Sequence, residues 1–289
     1  MGITLGPNQY GKAETRVVHI RRDAEEHEIR DLNVSIALSG DMEAVHLTGD
    51  NAAVLPTDSQ KNTVYAFARE YGIDSPEEFA LLLARHFVDS QPAVHRARVD
   101  AEEYAWDRVA DSGHSFVRRG REVRAARVTH SAAGTHVVSR LRDMILLNTT
   151  GSEFWGYAKD EFTTLPETRD RVLATTVNVG WRHAAINTDF SDWDGSYAEV
   201  RLLLLAAFAR THSLSLQQTL YAMGRRVLED RAEICEVRLS LPNKHHFVVD
   251  LEPFGLDNPG EVFFAADRPY GLIEGTVLRD DVPPVEEAW

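Results

Sequence analysis

The chain has 289 residues, 43% hydrophobic and 26% charged, with a formal net charge of -14. That length accommodates two domains, and the apolar fraction is enough for a sizeable core. The acidic balance argues against nucleic acid or an anionic membrane surface as partner, yet a local group of cations can still hold a small anion.

In chain order, the first element is a strand at 13–22, carrying Val17, Val18 and Ile20. A second, at 30–38, alternates Leu32, Val34, Ile36 and Leu38 with polar neighbours, the period of a half-buried strand. A polar loop with Gly40, Gly49 and Asp50 leads to two helices. In the first, Val64, Phe67, Ala68 and Tyr71 make one apolar stripe, and Gly72 stops it. In the second, Ser75 caps, Pro76 takes the first turn and Glu78 completes a capping box. Its stripe is Phe79, Leu82, Leu83 and Phe87. Strands are predicted around 95–109 and 115–130.

The second half repeats this order. Strands around 136–149 and 171–185 precede two helices, striped by Val200, Leu203, Leu204, Ala207 and Phe208, then by Leu220, Met223, Val227 and Leu228. "EICEVRLSL" alternates again, and further strand residues lie at 246–251 and 261–276. The order ββααββ thus occurs twice, with a seam near 132–140. It predicts an α+β fold, antiparallel sheets with helices on one face, divided into domains 1–135 and 136–289.

Several segments carry candidate chemistry, each with a bland reading beside it. Thr57 and Asp58 stand at the mouth of a helix, where they cap it or where the helix attracts an anion. Lys12 follows Gly11 at a strand start; it is a solvated charge or, if partly buried, a proton carrier. "GSEFWGY" holds Phe154 and Trp155 between glycines, as core anchors or as a platform for a flat ligand. Arg171 opens an apolar strand and either pairs with Asp170 or Glu167 or presents its fork to a planar ligand. Gln217 lies in the first turn of a helix, solvated or free to pair with a ligand's N–H and C=O groups.

"SLPNKHHF" suggests a metal site at first glance. On a strand, however, Asn243 and His245 face one way and Lys244 and His246 the other. Adjacent histidines therefore do not share one ion, no HxH or HExxH pattern occurs, and Cys235 is the only cysteine, so no disulfide framework exists either. No metal is expected. Asn243 with His245 is the better candidate, an amide that fixes a small molecule beside an imidazole that relays protons.

Taken together, "QYGKAETR", "PTDSQKNTVYAFA", "GSEFWGY", "EFTTLPETRDRVLAT", "THSLSLQQTLY", "SLPNKHHFVVDL" and "DRPYGLIE" resemble the factor-independent urate oxidases. They stand in that family's order over about residues 8–275. The resemblance implies two tandem tunnelling-fold domains per subunit and a homotetramer that closes a barrel around a tunnel, with active sites at subunit interfaces. It implies oxidation of urate by O2 and water to 5-hydroxyisourate and hydrogen peroxide, with no cofactor. Lys12, Thr57 and His245 match the family's proton relay. Arg171 and Gln217 match the pair that grips the purine, and Phe154 the ring stacked on it. Asp58 and Leu216 match positions whose backbone N–H groups hold urate, and Asn243 the residue at the oxygen site. Thr57 and Asp58 would come from the neighbouring subunit. Pro56 and Leu216 depart from the common pattern, where a small residue and a valine are usual. Metal-dependent pterin or purine hydrolases on the same fold, and a non-catalytic purine binder, are the alternatives; the lone cysteine and the complete polar set speak against them. No membrane span, signal core or peroxisomal tripeptide is present, which predicts a cytoplasmic, bacterial-type enzyme.

Overall fold

The computed structural model describes residues 2–184 and 192–289. They form an α+β protein of antiparallel strands and helices, divided into two compact units. One comprises Met1–Arg140, Trp181–Tyr197 and Pro283–Trp289; the other comprises Leu141–Gly180 and Ala198–Val282.

In the first unit, β1 (Thr15–Arg21), β2 (Glu28–Gly40), β3 (Val94–Glu103), β6 (Val123–Ser131) and the start of β7 (Gly134–Asn148) are neighbours in that order. The first three pairings are antiparallel, with Val17 opposite Leu32, Ile36 opposite Val99 and Val99 opposite Val128. On β2 the expected alternation holds: Leu32, Val34, Ile36 and Leu38 are buried and the residues between them are not. The core forms where that face meets α3 (Pro76–Ser90), through Phe79, Leu83 and Phe87. Each such side chain contributes about 1.5–3 kcal/mol on burial, so trimming one is costly.

Ser75 caps α3 as expected, its hydroxyl accepting from the Glu78 N–H at 3.0 Å. The Glu78 carboxylate is engaged elsewhere, accepting the Trp193 indole N–H at 2.9 Å. Two further features differ from expectation. The polar loop after β2 contains a short helix, α1 (Glu43–Thr48), which buries no residue and therefore leaves no apolar stripe to read. The strands expected at 95–109 and 115–130 are each broken. Beyond Glu103 the chain leaves the sheet, and β4 (Trp106–Arg108) pairs with β5 (Phe116–Arg118) as a separate ribbon. Buried Asp31 anchors the departure, accepting from Arg16 and from the Trp106 indole.

The second unit repeats the theme. The end of β7, β8 (Leu173–His183), β9 (Ile234–Val248) and β10 (Phe263–Leu278) are neighbours in that order. α5 (Leu216–Asp230) packs on β9 and β10 through Leu220, Met223 and Val227. That packing is close: a Cβ on Gly224 would stand 2.7 Å from Val277. α4 (Trp193–Arg210) buries Val200, Leu204 and Phe208. The segments expected at 233–241 and 246–251 are largely one strand, β9 (Ile234–Val248), which ends before residues 249–251. Pro242 lies inside it without breaking it, and its carbonyl accepts from the buried Thr175 hydroxyl at 2.9 Å. Residue 185, the end of the strand expected at 171–185, lies outside the described residues.

Candidate active site

In the first unit, Lys12 and the start of α2 (Thr57–Glu70) are held together by Tyr10, a residue that sequence reasoning passed over. Tyr10 exchanges both backbone hydrogen bonds with Leu38, at 3.0 and 2.7 Å. Its hydroxyl accepts the Leu55 N–H at 3.0 Å, two residues before the helix start. Gly11 then passes so close to β2 that a Cβ would stand 1.8 Å from the Ile36 carbonyl oxygen. Only glycine fits, and the Lys12 carbonyl accepts the Ile36 N–H at 2.8 Å.

The mouth of α2 is not capped by a side chain. Its N-cap is Pro56, and Thr57 is the first helical residue. The Asp58 carboxylate turns outward to Lys61 and Asn62. Capping, the bland reading of Thr57 and Asp58, is therefore not how they are used. Among the described residues no side chain accepts from the first-turn N–H groups, which leaves an anion-attracting helix terminus. Lys12 is half-buried and close enough to act on Asp58. The Asp58 carboxyl is held below its usual range, chiefly by the Lys61 hydrogen bond and also by the Lys12 charge.

The second unit contains a cavity of about 490 Å³ whose wall includes Phe154, Arg171, Asn243 and His245, with Leu165 and Pro166 on an apolar side. That volume suits a small molecule. A more open depression of about 790 Å³ over residues 248–258 carries Asp250, Glu252 and Asp257 and no cation. An anionic ligand favours the former.

The segment bearing Phe154 is fixed on both edges. Ser152 forms a parallel bridge with Ser213, and Phe154 an antiparallel one with Thr168. Tyr157 stacks on Phe154 at 4.8 Å, and the Arg171 guanidinium stands 5.1 Å from the ring centre. Trp155 points elsewhere, its ring under Arg169 at 3.6 Å. Arg171 is half-buried, and its Nε donates to the Ser152 hydroxyl at 3.2 Å. Asp170 instead accepts from Thr150, and Glu167 pairs with Lys159, so neither acidic neighbour neutralises Arg171. Burial alone draws its pKa down.

Asn243 and His245 lie one strand period apart on β9 and are half-buried. Burial first, then the Arg171 charge and His246, push the His245 imidazole below its ordinary value, which favours the neutral ring. His246, expected to face away, also contributes to the cavity wall. It does so beside a shift in β9–β10 register between Ala266 and Gly271, where strict alternation relaxes.

Leu216 and Gln217 open α5. Ser215 caps that helix by accepting the Gln218 N–H at 3.2 Å, which leaves the Leu216 and Gln217 N–H groups as first-turn donors. Leu216 is buried. Gln217 is exposed and is not in the cavity wall. The structure thus brings Phe154, Arg171, Asn243 and His245 together in one cavity, Lys12 with Thr57 and Asp58 in another cluster, and Leu216 with Gln217 at a helix start.

Comparison with known proteins supplies the context for these clusters. The family model described as Uricase matches residues 8–129 and 137–274. The uricase of Arthrobacter globiformis is 54% identical, covering 99% of this chain and 94% of that protein. That of Dictyostelium discoideum is 37% identical, covering 96% and 98%. The crystal structure of the Arthrobacter globiformis uricase superimposes with a TM-score of 0.94 at 53% identity, covering 99% of this chain and 98% of that one. A uricase structure from Bacillus fastidious gives 0.79 at 26% identity over 95% and 94%. By full-length similarity in both sequence and fold, the chain belongs to the uricase family.

Proposed function

We propose that urate binds in the cavity walled by Phe154, Arg171, Asn243 and His245 and is oxidised there by O2 without a cofactor. The family places the chain among the oxidoreductases, as a urate oxidase of purine degradation. The observation that carries the assignment of the site is a half-buried arginine with no acidic partner among the described residues, on a wall that also holds an aromatic ring, an amide and an imidazole whose burial favours its neutral form.

Deprotonated urate is electron-rich, and it gives two electrons to O2. Water supplies the oxygen that becomes the C5 hydroxyl of 5-hydroxyisourate, and O2 leaves as hydrogen peroxide. Urate, O2 and water thus balance hydroxyisourate and peroxide. The protein's share is orientation, charge compensation and proton transfer. Arg171 compensates the anion and Gln217 takes the opposite edge of the purine. Phe154 lies against the ring face, and Asn243 fixes O2 or water above it. The N–H groups of Asp58 and Leu216 hold urate heteroatoms. Lys12, Thr57 and His245 pass protons from the attacking water and to the peroxide.

In this reading the chain divides into tunnelling-fold domains 1–135 and 136–289. Four copies assemble in the cytoplasm, and Thr57 and Asp58 act in a neighbour's site. Steady-state kinetics test the roles. Lys12→Met and Thr57→Ala should each lower kcat by about 10²–10⁴-fold while the protein still assembles. Arg171→Ala should act mainly on KM. Near-normal turnover in both relay variants would sink the assignment.

A further inference from the structure

We propose that Ser152 is a positioning residue for urate oxidation, one that fixes the Arg171 fork and ties it to the first turn of α5. The proposal rests on the reading of Arg171 as a urate-binding group. Ser152 is fully buried. Both of its oxygens serve Arg171: the carbonyl accepts the backbone N–H at 2.9 Å, and the hydroxyl accepts Nε–H at 3.2 Å. One residue thus sets the backbone and the guanidinium together.

The same residue is bridged to the helix that begins at Leu216. Ser213 donates its N–H to the Gly151 carbonyl at 2.9 Å and accepts the Glu153 N–H at 2.7 Å, on either side of Ser152. The buried Ser213 hydroxyl then accepts from Thr219 at 2.8 Å and donates to the Ser215 carbonyl at 3.0 Å. The path from the arginine to the α5 start is therefore a chain of paired groups, with Ser152, Ser213 and Thr219 buried and the rest half-buried.

The choice of serine has a physical reason. A carboxylate at this point would orient Arg171 equally well, but it would neutralise the cation and compete with an anionic ligand. A neutral hydroxyl holds the Nε edge and leaves the charge and both terminal nitrogens for the ligand.

A double-mutant cycle tests this. Lysine places a methylene where arginine has its Nε–H, so Arg171→Lys removes the partner of the Ser152 hydroxyl. Ser152→Ala is made alone and with Arg171→Lys. Ser152→Cys, closer in volume, runs in parallel should alanine fail to fold. In the wild-type background KM for urate should rise about fivefold, with kcat within about twofold. In the Arg171→Lys background the serine change should add less than about twofold. An unchanged KM for a folded Ser152 variant overturns the proposal, and so does an equal multiple in both backgrounds. If Arg171→Lys alone leaves KM unchanged, the urate-binding role of Arg171 falls and the proposal falls with it. A raised KM for Arg171→Lys with an undiminished serine effect removes the proposal alone.

Discussion

Arg171 and His245 share one cavity wall, and their interaction has a measurable consequence. A buried cation near an imidazole disfavours a second positive charge. His245 is therefore depressed by burial first and by Arg171 second. The sign for stability follows from proton linkage. The unfolded chain takes up the proton at its ordinary value before the folded one does. The contribution of His245 to stability is thus present above the unfolded value and is lost as pH falls through the lower folded one. An NMR titration should place the His245 midpoint below 6.5. Arg171→Ala should recover part of the shift and leave the part due to burial. A midpoint that does not move would separate the two residues. At this scale the sequence was informative about Asn243 and His245, because a period of two puts both on one face. It was silent about Ser152 and Tyr10, whose importance lies in backbone pairing with residues distant in sequence. It also separated His246 from the site too sharply, since a register shift between strands leaves no mark on one strand's own pattern.

The two central helices of the first unit show which local signals decide an element. The α3 start was legible because Ser75, Pro76 and Glu78 stand in the spacing that capping needs. At α2 the same class of residues misled. Thr57 and Asp58 look like caps, but Pro56 takes the cap position and offers no acceptor. Helix termini that keep their N–H groups for a ligand forgo side-chain capping, so the departure fits a site. Pro56→Ser should therefore do two things at once. A serine cap would stabilise α2 by about 0.5–1 kcal/mol, read as a higher denaturation midpoint. It would also occupy one of the first-turn donors, read as weaker urate binding. A gain in stability with unchanged KM would mean that these N–H groups do not meet the ligand. The broken strands near Tyr104 were out of reach for a different reason. Residues 106–108 and 116–118 have ordinary strand propensity, and contacts distant in sequence, such as the Trp106 indole on Asp31 and Arg108 on the His27 carbonyl, help to hold their ribbon apart from the sheet.

At the scale of the whole molecule, the doubled ββααββ order was readable from periodicity, and the family resemblance matched it. Neither could give the distribution of residues between the two compact units, because β7, β8 and α4 contribute to both. Lys12, Thr57 and Asp58 belong to one unit, and Phe154, Arg171, Gln217, Asn243 and His245 to the other. If the two sets meet across subunits of a tetramer, single-site variants should complement one another. Thr57→Ala and Arg171→Ala chains, assayed at low urate where each alone is strongly impaired, should regain activity when refolded together, with about a quarter of the sites intact. No recovery in mixed assemblies would place both sets in one subunit. We propose above that this polypeptide oxidises urate with its own side chains. Chelator-treated protein, mixed with urate in air-saturated buffer, tests it most directly. Urate ultraviolet absorbance should fall, with one hydrogen peroxide released per urate consumed, at a rate unchanged by the chelator. Absence of turnover, or turnover restored only by an added metal or flavin, would contradict it.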